Sequence, residues 1–208
     1  MGDIDKYDLV GADESEEIEI IPVSEVDRNQ YNPKSLQQVK AWTKFTFPNR
    51  GGQYSDFIYD SRVMSGISWE LIIPKQSKNN IYLMNNHVWS KLVDNEYGNF
   101  DYLLGLNLDY SNPEMKSEAK KWGGWFTKTL QLDGYRLDAV KHIDSDFMRW
   151  WLKSMRNLNP NAFAVGEYWH GDLAKLEDYE NKVDWSMSLF DVPLHFNFYN
   201  ASKMSSPI

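Results

Sequence analysis

The second half of this sequence predicts an α/β fold with a parallel sheet. From Asp101 onward, short β-branched or aromatic runs alternate with segments whose apolar residues recur at helical spacing. Such alternation is typical of strand–helix–strand units, whose parallel strands form either a barrel or a doubly wound sheet. About three such units can be counted, fewer than a closed eight-stranded barrel requires.

Residues 1–100 predict a different structure, β-rich and irregular. Glu17–Val23 alternates polar and apolar residues, and Val39–Phe47 is rich in β-branched and aromatic side chains. Pro48–Gly52 follows as a loop signal. We therefore divide the chain into a β-rich domain, residues 1–100, and an α/β domain, residues 101–208.

The elements of the α/β half follow one another with short connections. The first helix has the clearest start, because Ser111 and Asn112 are capping residues and Pro113 suits the first helical position. In chain order we expect a strand over Asp101–Leu108, a helix with an apolar face of Met115, Ala119, Trp122 and Phe126, a strand over Gly134–Ala139, a helix with a stripe of Phe147, Trp151, Met155 and Leu158, a strand from Ala162–Val165, a helix over Asp172–Lys182 and a strand over Ser188–Val192.

Composition excludes several classes of function. The chain has 22 Lys and Arg against 30 Asp and Glu, a net charge of −8 that disfavours nucleic acid and anionic membranes as partners. It has no cysteine, which excludes disulfides, thiolate metal sites and cysteine nucleophiles. The apolar runs fall short of the roughly 18 residues that span a bilayer. The many aromatic residues suit either a core or a sugar-binding groove.

The first candidate catalytic group is Asp138. Residues two apart on a strand share a face, so Arg136 and Asp138 project together, near the carboxyl end where parallel α/β folds place their chemistry. A neighbouring guanidinium keeps a carboxylate ionised, as a nucleophile must be. An ion pair that only fixes packing is the alternative.

The second candidate is Glu167, which follows the next predicted strand. Neighbouring parallel strands end side by side, so Glu167 is expected to face Asp138 across a substrate. The aromatic neighbours Tyr168 and Trp169 would desolvate the glutamate and favour its protonated form, as a general acid requires. One ionised and one protonated carboxyl group suit glycoside hydrolysis. A solvated glutamate at a loop mouth is the alternative.

Long motifs around these residues resemble a known family. GYRLDAVKHI (134–143) and AVGEYW (164–169) are similar to the strand-four and strand-five signatures of the α-amylase family, glycoside hydrolase family 13. The resemblance continues through WTKFTFPNRGGQYSDF (42–57), GNFDYLLGLNLDYSNPE (98–114) and FDVPLHFNFYNASK (190–203). It covers nearly the whole chain and is greatest to the bacterial liquefying type, especially its cytoplasmic members.

This resemblance implies retaining endo-hydrolysis of α-1,4-glucosidic bonds in starch, glycogen or maltodextrins. Asp138 would be the nucleophile and Glu167 the acid/base. Arg136 would orient Asp138, Lys141 and His142 would line the leaving-group side, and Trp169 would stack on a sugar. An ordinary rim lysine and a structural histidine are the alternatives for Lys141 and His142.

The resemblance also implies that the sequence is an internal piece of a (β/α)8 TIM barrel. Residues 1–100 would be the B domain inserted after strand three, and residues 101–208 would carry strands four to six. The strand-three motif is expected immediately before Val10, and the strand-seven motif with the third catalytic Asp beyond Lys203. We expect little or no activity from these 208 residues alone.

Calcium is the cofactor that the resemblance implies, at one site. Asp101 and the backbone carbonyl of His142 match ligand positions, and Asn107 stands where secreted relatives usually have Asp. A solvated loop acid is the alternative for Asp101. Serine occupies positions where secreted relatives carry further acidic ligands, so a metal cluster is not expected; these positions are Ser65, Ser90 and Ser111. We expect a cytoplasmic location, with secretion left open because the natural N-terminus is expected to be missing.

Three other functions remain open at this stage. One is a related maltogenic hydrolase or transglycosylase, because the fold does not determine bond preference. Another is a non-catalytic glucan-binding or regulatory relative, which would not need both Asp138 and Glu167. The third is a structural protein on the same scaffold. The sequence does not determine the preferred glucan, the product length, the pH optimum or the oligomeric state.

Overall fold

The chain contains an antiparallel sheet followed by a parallel one. The computed structural model describes residues 11–51, 53, 55–78 and 80–203. These residues belong to two units, Met1–Glu118 and Ala119–Ile208. The boundary between the units falls within a helix. The division at residue 100 that the sequence suggested stays a prediction.

The first unit is built on a six-stranded sheet in which every pairing is antiparallel. Its strand order is β4-β2-β1-β5-β3-β6. The strands are β1 (Glu14–Pro22), β2 (Gln37–Lys44), β3 (Met64–Ser68), β4 (Ile72–Ile73), β5 (Ile81–Met84) and β6 (Leu106–Leu108). The two strands predicted in the first hundred residues are confirmed as β1 and β2, each beginning slightly earlier than expected.

Alternation along β1 explains the core of this unit. Ile18 and Ile20 are buried, whereas Glu17, just before Ile18, and Glu19, between the two isoleucines, are exposed. Because successive strand residues point to opposite faces, Ile18 and Ile20 pack inward while Glu17 and Glu19 face water. At the end of the strand Ile21, on the second face, is buried as well.

The strand predicted over Asp101–Leu108 differs from the one observed. Only Leu106–Leu108 is a strand, and it pairs antiparallel with β3 in the first sheet rather than joining the parallel sheet. Gly105 has a φ of 67°, which turns the chain just before β6. The Asn107 amide then donates to Ser65 Oγ at 2.8 Å across the pair.

The alternation of strands and helices predicted for the second half is confirmed. Three parallel strands in the order β7-β8-β9 are joined through helices. The strands are β7 (Gly134–Leu137), β8 (Phe163–Gly166) and β9 (Ser188–Leu189), and the helices are α1 (Pro113–Leu130), α2 (Ser145–Arg156), α3 (Leu173–Lys182) and α4 (Val192–Lys203). Among the described residues, no helix is both long and apolar enough to cross a membrane.

Side-chain caps determine where three of these helices begin. Asn112 accepts from the backbone N–H groups of Glu114 and Met115, as expected for the start of α1. Asp144 caps α2 and Asp172 caps α3 in the same way. Each carboxylate or amide satisfies a backbone donor that has no partner within the helix.

The apolar face predicted for α1 is partly wrong. Met115 is buried as expected, but Trp122 is 49% exposed. Instead, Gly123 faces α2, where a Cβ on this glycine would lie only 2.7 Å from the Trp151 ring. The two helices approach closely at this point because Gly123 has no side chain. A search for apolar periodicity does not detect such a contact.

Candidate active site

The carboxyl ends of β7 and β8 are held in register by backbone hydrogen bonds. Leu137 pairs with Gly166 at the end of the parallel ladder. The N–H of Glu167 then donates to the carbonyl oxygen of Leu137 at 2.8 Å. Asp138 and Glu167 are therefore the first residues beyond two paired strands, at the edge where parallel sheets carry their functional groups.

A tight turn follows Asp138. Ala139 adopts the left-handed conformation with a φ of 47°, and a single 3-10 turn covers Val140–His142. The N–H of Val140 donates to the carbonyl oxygen of Glu167 at 3.0 Å. This bond connects the turn after β7 to the end of β8.

Arg136 contacts both candidate catalytic carboxylates. Its Nη1 lies 2.7 Å from Asp138 Oδ1, and its Nη2 forms an ion pair with Glu167 Oε2. The Asp138 side chain is 73% exposed and that of Glu167 is 26% exposed. The structure thus brings together the three residues that the sequence placed at this edge.

The two aromatic residues after Glu167 differ in burial. Tyr168 is buried with its ring centroid 4.9 Å from that of Tyr179 in α3. It packs against a helix instead of forming the open wall expected beside Glu167. Of the two residues, Trp169 is the one with an accessible aromatic ring, since 45% of its surface is exposed.

The side chains beyond β7 also differ in exposure. Lys141 Nζ donates to the carbonyl oxygen of Trp169 at 3.2 Å, so its ammonium group reaches the segment after β8. His142 is buried, with 7% of its surface exposed. Lys141 is therefore close to the predicted aromatic platform, whereas the burial of His142 also agrees with a structural histidine.

The segment after β9 places three further residues near the candidate site, Phe190, His195 and Phe196. They lie in the motif 190–203, but their place in the site was not predicted from the sequence. The Arg136 guanidinium lies 5.9 Å from the centre of the Phe190 ring. The ring centroid of Trp169 is 5.2 Å from that of His195 and 6.1 Å from that of Phe196. The position of this segment immediately after the third parallel strand was the signal that could have identified these residues.

Two of the three predicted calcium ligands belong to the first unit. Asp101 is 3% exposed and accepts from the backbone N–H of Ser90 at 2.7 Å. Asn107 is buried, and because its NH2 group donates to Ser65, its carbonyl oxygen is the group suited to a cation. Carboxylate and carbonyl oxygens fit the preference of calcium. Within the described part of the chain, no group of three or more His, Cys, Asp or Glu residues could hold a metal ion.

Paired carboxylates at the carboxyl edge of parallel strands are typical of a glycoside hydrolase. The profile described as "Alpha amylase, catalytic domain" matches residues 53–207. The chain therefore belongs to the α-amylase family, and its parallel strands are part of the (β/α)8 barrel of that family, as predicted from the motifs.

Individual relatives agree with this assignment. The chain is 42% identical to an α-amylase of Bacillus licheniformis, over 92% of this chain and 37% of the relative. It is 41% identical to a glucan 1,4-α-maltohexaosidase of Bacillus sp. (strain 707), over 97% of this chain and 39% of that protein. It is 40% identical to a cytoplasmic α-amylase of Escherichia coli (strain K12), over 94% and 40% respectively. The chain thus spans less than half the length of these relatives.

Proposed function

We propose that this chain carries two catalytic groups of a retaining endo-hydrolase that cleaves α-1,4-glucosidic bonds in starch, glycogen or maltodextrins. The observation that carries the proposal is the shared contact of Arg136 with Asp138 and Glu167. Retention requires two carboxyl groups roughly 5–5.5 Å apart. One guanidinium reaching both is compatible with such a separation and keeps both side chains on the same face.

The first step forms a covalent intermediate. Glu167 gives its proton to the glycosidic oxygen as the bond from that oxygen to the anomeric carbon breaks. An Asp138 carboxylate oxygen bonds to the same carbon from the opposite face, giving a β-glycosyl ester. Arg136 orients Asp138 for this attack through its contact with Asp138 Oδ1.

The second step releases the sugar. Glu167, now a carboxylate, takes a proton from a water molecule whose oxygen attacks the anomeric carbon. The ester bond to Asp138 breaks, the carboxylate is regenerated and Glu167 is again protonated. Two inversions give net retention of the α configuration.

Substrate binding falls to the residues around the carboxylates. The exposed ring of Trp169 offers a flat face for a glucosyl unit, and contacts with His195 and Phe196 fix its orientation. Lys141 lies on the same side through its bond to the Trp169 carbonyl and can donate to sugar hydroxyls. His142 is assigned to the leaving-group side with the resemblance as its support.

The test compares Asp138→Ala and Glu167→Ala in the natural-length protein, using an aryl maltooligoside with a good leaving group. Both variants should lose at least about a thousandfold in kcat on starch. Azide should restore turnover in both, giving the β-glycosyl azide with Asp138→Ala and the α-glycosyl azide with Glu167→Ala. Asp146→Asn, which removes an exposed carboxylate paired with Arg149 on α2, is the matched control.

Unchanged turnover in both variants would overturn the roles assigned to Asp138 and Glu167, whereas glucan binding without any turnover by the unmodified protein would support the non-catalytic alternative. A related maltogenic hydrolase is supported by one specific observation, the 41% identity to a maltohexaosidase, and a transglycosylase stays an alternative without such support. Chromatography of early products from amylose separates these activities. A broad range of lengths with new reducing ends supports endo-hydrolysis, one dominant short product supports a maltogenic enzyme, and longer chains without new reducing ends support transfer.

We further propose one calcium site, with Asp101, Asn107 and the backbone carbonyl of His142 as ligands. When bound, calcium would supply a positive charge that fixes these oxygen atoms. Calorimetric titration with Ca²⁺ tests the assignment independently of activity. Asn107→Asp should bind calcium more tightly because it adds a negative charge, and Asp101→Asn should bind it more weakly.

We also propose that the protein is located in the cytoplasm. It is supported by the 40% identity to a relative described as cytoplasmic and by the serines at the predicted cluster positions. All three serines already form local hydrogen bonds, since Ser65 Oγ accepts from Asn107, Ser90 Oγ accepts from the backbone N–H of Leu92 and Ser111 Oγ donates to Asp109. Fractionation of the producing cells, with an antibody to the protein, tests this location.

A further inference from the structure

Arg28 carries a buried positive charge in the first unit. Only 8% of its surface is exposed. Its guanidinium carbon lies 5.5 Å from the centre of the Tyr97 ring, 5.1 Å from that of Phe100 and 5.5 Å from that of Tyr102. At such distances the electron-rich ring faces attract a cation. All three rings belong to one short segment, residues 97–102, and the reaction proposed above does not use Arg28.

Hydrogen bonds attach Arg28 to the same segment at both of its ends. The backbone N–H of Arg28 donates to the carbonyl oxygen of Tyr97 at 3.1 Å. Its side-chain Nη1 donates to the carbonyl oxygen of Tyr102. One residue thus holds the first and the last residue of the 97–102 segment.

The 97–102 segment requires support because it begins in a strained conformation. Tyr97 has a φ of 55°, in the left-handed region that is rare for a bulky side chain. Gly98 follows with a φ of 76°, and a Cβ on this glycine would lie only 2.3 Å from Asp27 Oδ1. Such strain persists only where the surrounding contacts hold it. The contacts come from Asp27 and Arg28.

The same segment presents Asp101, one of the proposed calcium ligands. The N–H of Asp101 donates to Asn99 Oδ1 at 2.8 Å, and the Asn99 amide donates to the carbonyl oxygen of Ser90 at 2.7 Å. The N–H of Ser90 in turn donates to Asp101 Oδ2 at 2.7 Å. The orientation of the Asp101 carboxylate therefore depends on the conformation that Arg28 holds.

We propose that Arg28 is the positioning residue of Asp101, because it holds the 97–102 segment in the conformation that orients this carboxylate for a calcium ion. The choice of ion rests on the calcium site proposed above. A buried guanidinium is a costly way to fill the space between rings, since apolar residues of similar size often replace buried charges without loss of stability. Its value lies in the contacts that it makes at both ends of the segment.

Positioning and simple electrostatics predict opposite effects on calcium binding. Arg28 is close enough to Asp101 for their charges to interact. Its positive charge alone would repel a divalent cation, so removal of the charge would tighten calcium binding. If Arg28 positions Asp101, its removal weakens binding instead.

The decisive variants, made in the natural-length protein, are Arg28→Met, which keeps most of the side-chain length without the charge, and Arg28→Lys, which keeps the charge without the planar fork. In calorimetric titration with Ca²⁺, we expect both to bind about tenfold more weakly, as when an outer partner of a metal ligand is lost. Lys44→Met removes a cation paired with Glu14 in the same unit and is the matched control, with unchanged affinity expected.

Unchanged or tighter calcium binding by Arg28→Met overturns the proposal. The free energy of unfolding is measured on the same samples, because a merely structural role would lower this energy and leave the calcium affinity of the folded protein unchanged. Arg28→Lys retains the charge and keeps the test available where Arg28→Met does not fold.

Hydrogen exchange of the calcium-free protein separates this proposal from the calcium site itself. Peptides that cover residues 90–102 should exchange about tenfold faster in both Arg28 variants than in Lys44→Met, whereas peptides from β1 should not change. Equal exchange over residues 90–102 overturns the proposal, even where the unmodified protein binds calcium. If the unmodified protein binds no calcium but the exchange is faster as expected, the positioning of Asp101 by Arg28 stands and the calcium site fails.

Discussion

The backbone N–H of Val140 donates to the carbonyl oxygen of Glu167 at 3.0 Å, which joins the turn after β7 to the residue after β8. The turn reaches this position because Ala139, directly after Asp138, has a φ of 47°. The left-handed conformation costs an L-residue roughly 1–2 kcal/mol. The mutual placement of the two carboxylates therefore depends in part on one strained residue.

Ala139→Gly should stabilise the protein by about 0.5 kcal/mol, because glycine adopts positive φ without the Cβ clash and part of the gain is offset by its larger unfolded-state entropy. Urea denaturation measures the free energy of unfolding. Ala164→Gly is the matched control, since Ala164 is buried in β8 and should lose about 1 kcal/mol. Equal losses in the two variants would contradict strain at Ala139.

Arg136→Ala should lower kcat by about a hundredfold, because Asp138 and Glu167 lose the cation that orients both. Small misplacements of catalytic groups have effects of this size. Arg136→Lys should recover only part of the rate, since an ammonium group lacks the planar fork that reaches two carboxylates. KM on maltooligosaccharides should change little in both variants.

The control for this experiment is Arg149→Ala, which breaks an exposed ion pair with Asp146 on α2 and should leave kcat unchanged. A merely structural role of Arg136 predicts another pattern. In that case the free energy of unfolding would fall with kcat, and Arg136→Lys would recover neither. Circular dichroism and denaturation of the same samples distinguish the two.

The sequence could predict Arg136, Asp138 and Glu167 as neighbours because strand periodicity and parallel pairing are local rules. It could not predict the burial of Tyr168, because that residue packs against Tyr179, a contact between separate elements. The strand expected over Asp101–Leu108 was misplaced for a similar reason. Its partner, β3, belongs to the six-stranded antiparallel sheet, and the residues of the strand itself do not indicate which strand it pairs with.

The half-buried pair of His87 and Asp109, whose Nδ1 and Oδ2 atoms are 3.0 Å apart, should make stability depend on pH. Burial raises the pKa of Asp109, but hydrogen bonds from His87 and Ser111 outweigh it, so the pKa is below the ordinary value of 3.8. The unfolded chain therefore binds more protons, and the stabilisation is present above about pH 4 and is lost as pH falls through the folded-state pKa.

Asp109→Asn should accordingly lower the free energy of unfolding by about 1–2 kcal/mol at pH 7, and by progressively less below pH 4. Urea denaturation at several pH values measures the difference. Ser111→Ala removes one donor and keeps the His87 contact, so its effect should be smaller with the same pH trend. A loss that is independent of pH would show that Asp109 acts through packing alone.

Two adjacent glycines in α1 should respond in opposite directions to the same substitution. A Cβ on Gly124 would lie 3.5 Å from Leu158 Cδ1, an ordinary contact, whereas a Cβ on Gly123 would lie 2.7 Å from Trp151 Cζ2 and 2.8 Å from Met155 Sδ. Gly124→Ala should therefore stabilise by up to about 1 kcal/mol through helix propensity. Gly123→Ala should destabilise by about 1–2 kcal/mol, because overpacking exceeds that gain.

Thermal and urea unfolding of the two variants measure this contrast. Trp151→Phe in the Gly123→Ala background should recover part of the loss, since the smaller ring lacks the Cζ2 atom that meets the new methyl group. The same Trp151→Phe change alone should destabilise, because Trp151 is buried and its Nε1 donates to the Ala119 carbonyl oxygen. Non-additivity of the pair would thus locate the α1–α2 contact at Gly123, whereas simple addition would show that the two residues do not touch.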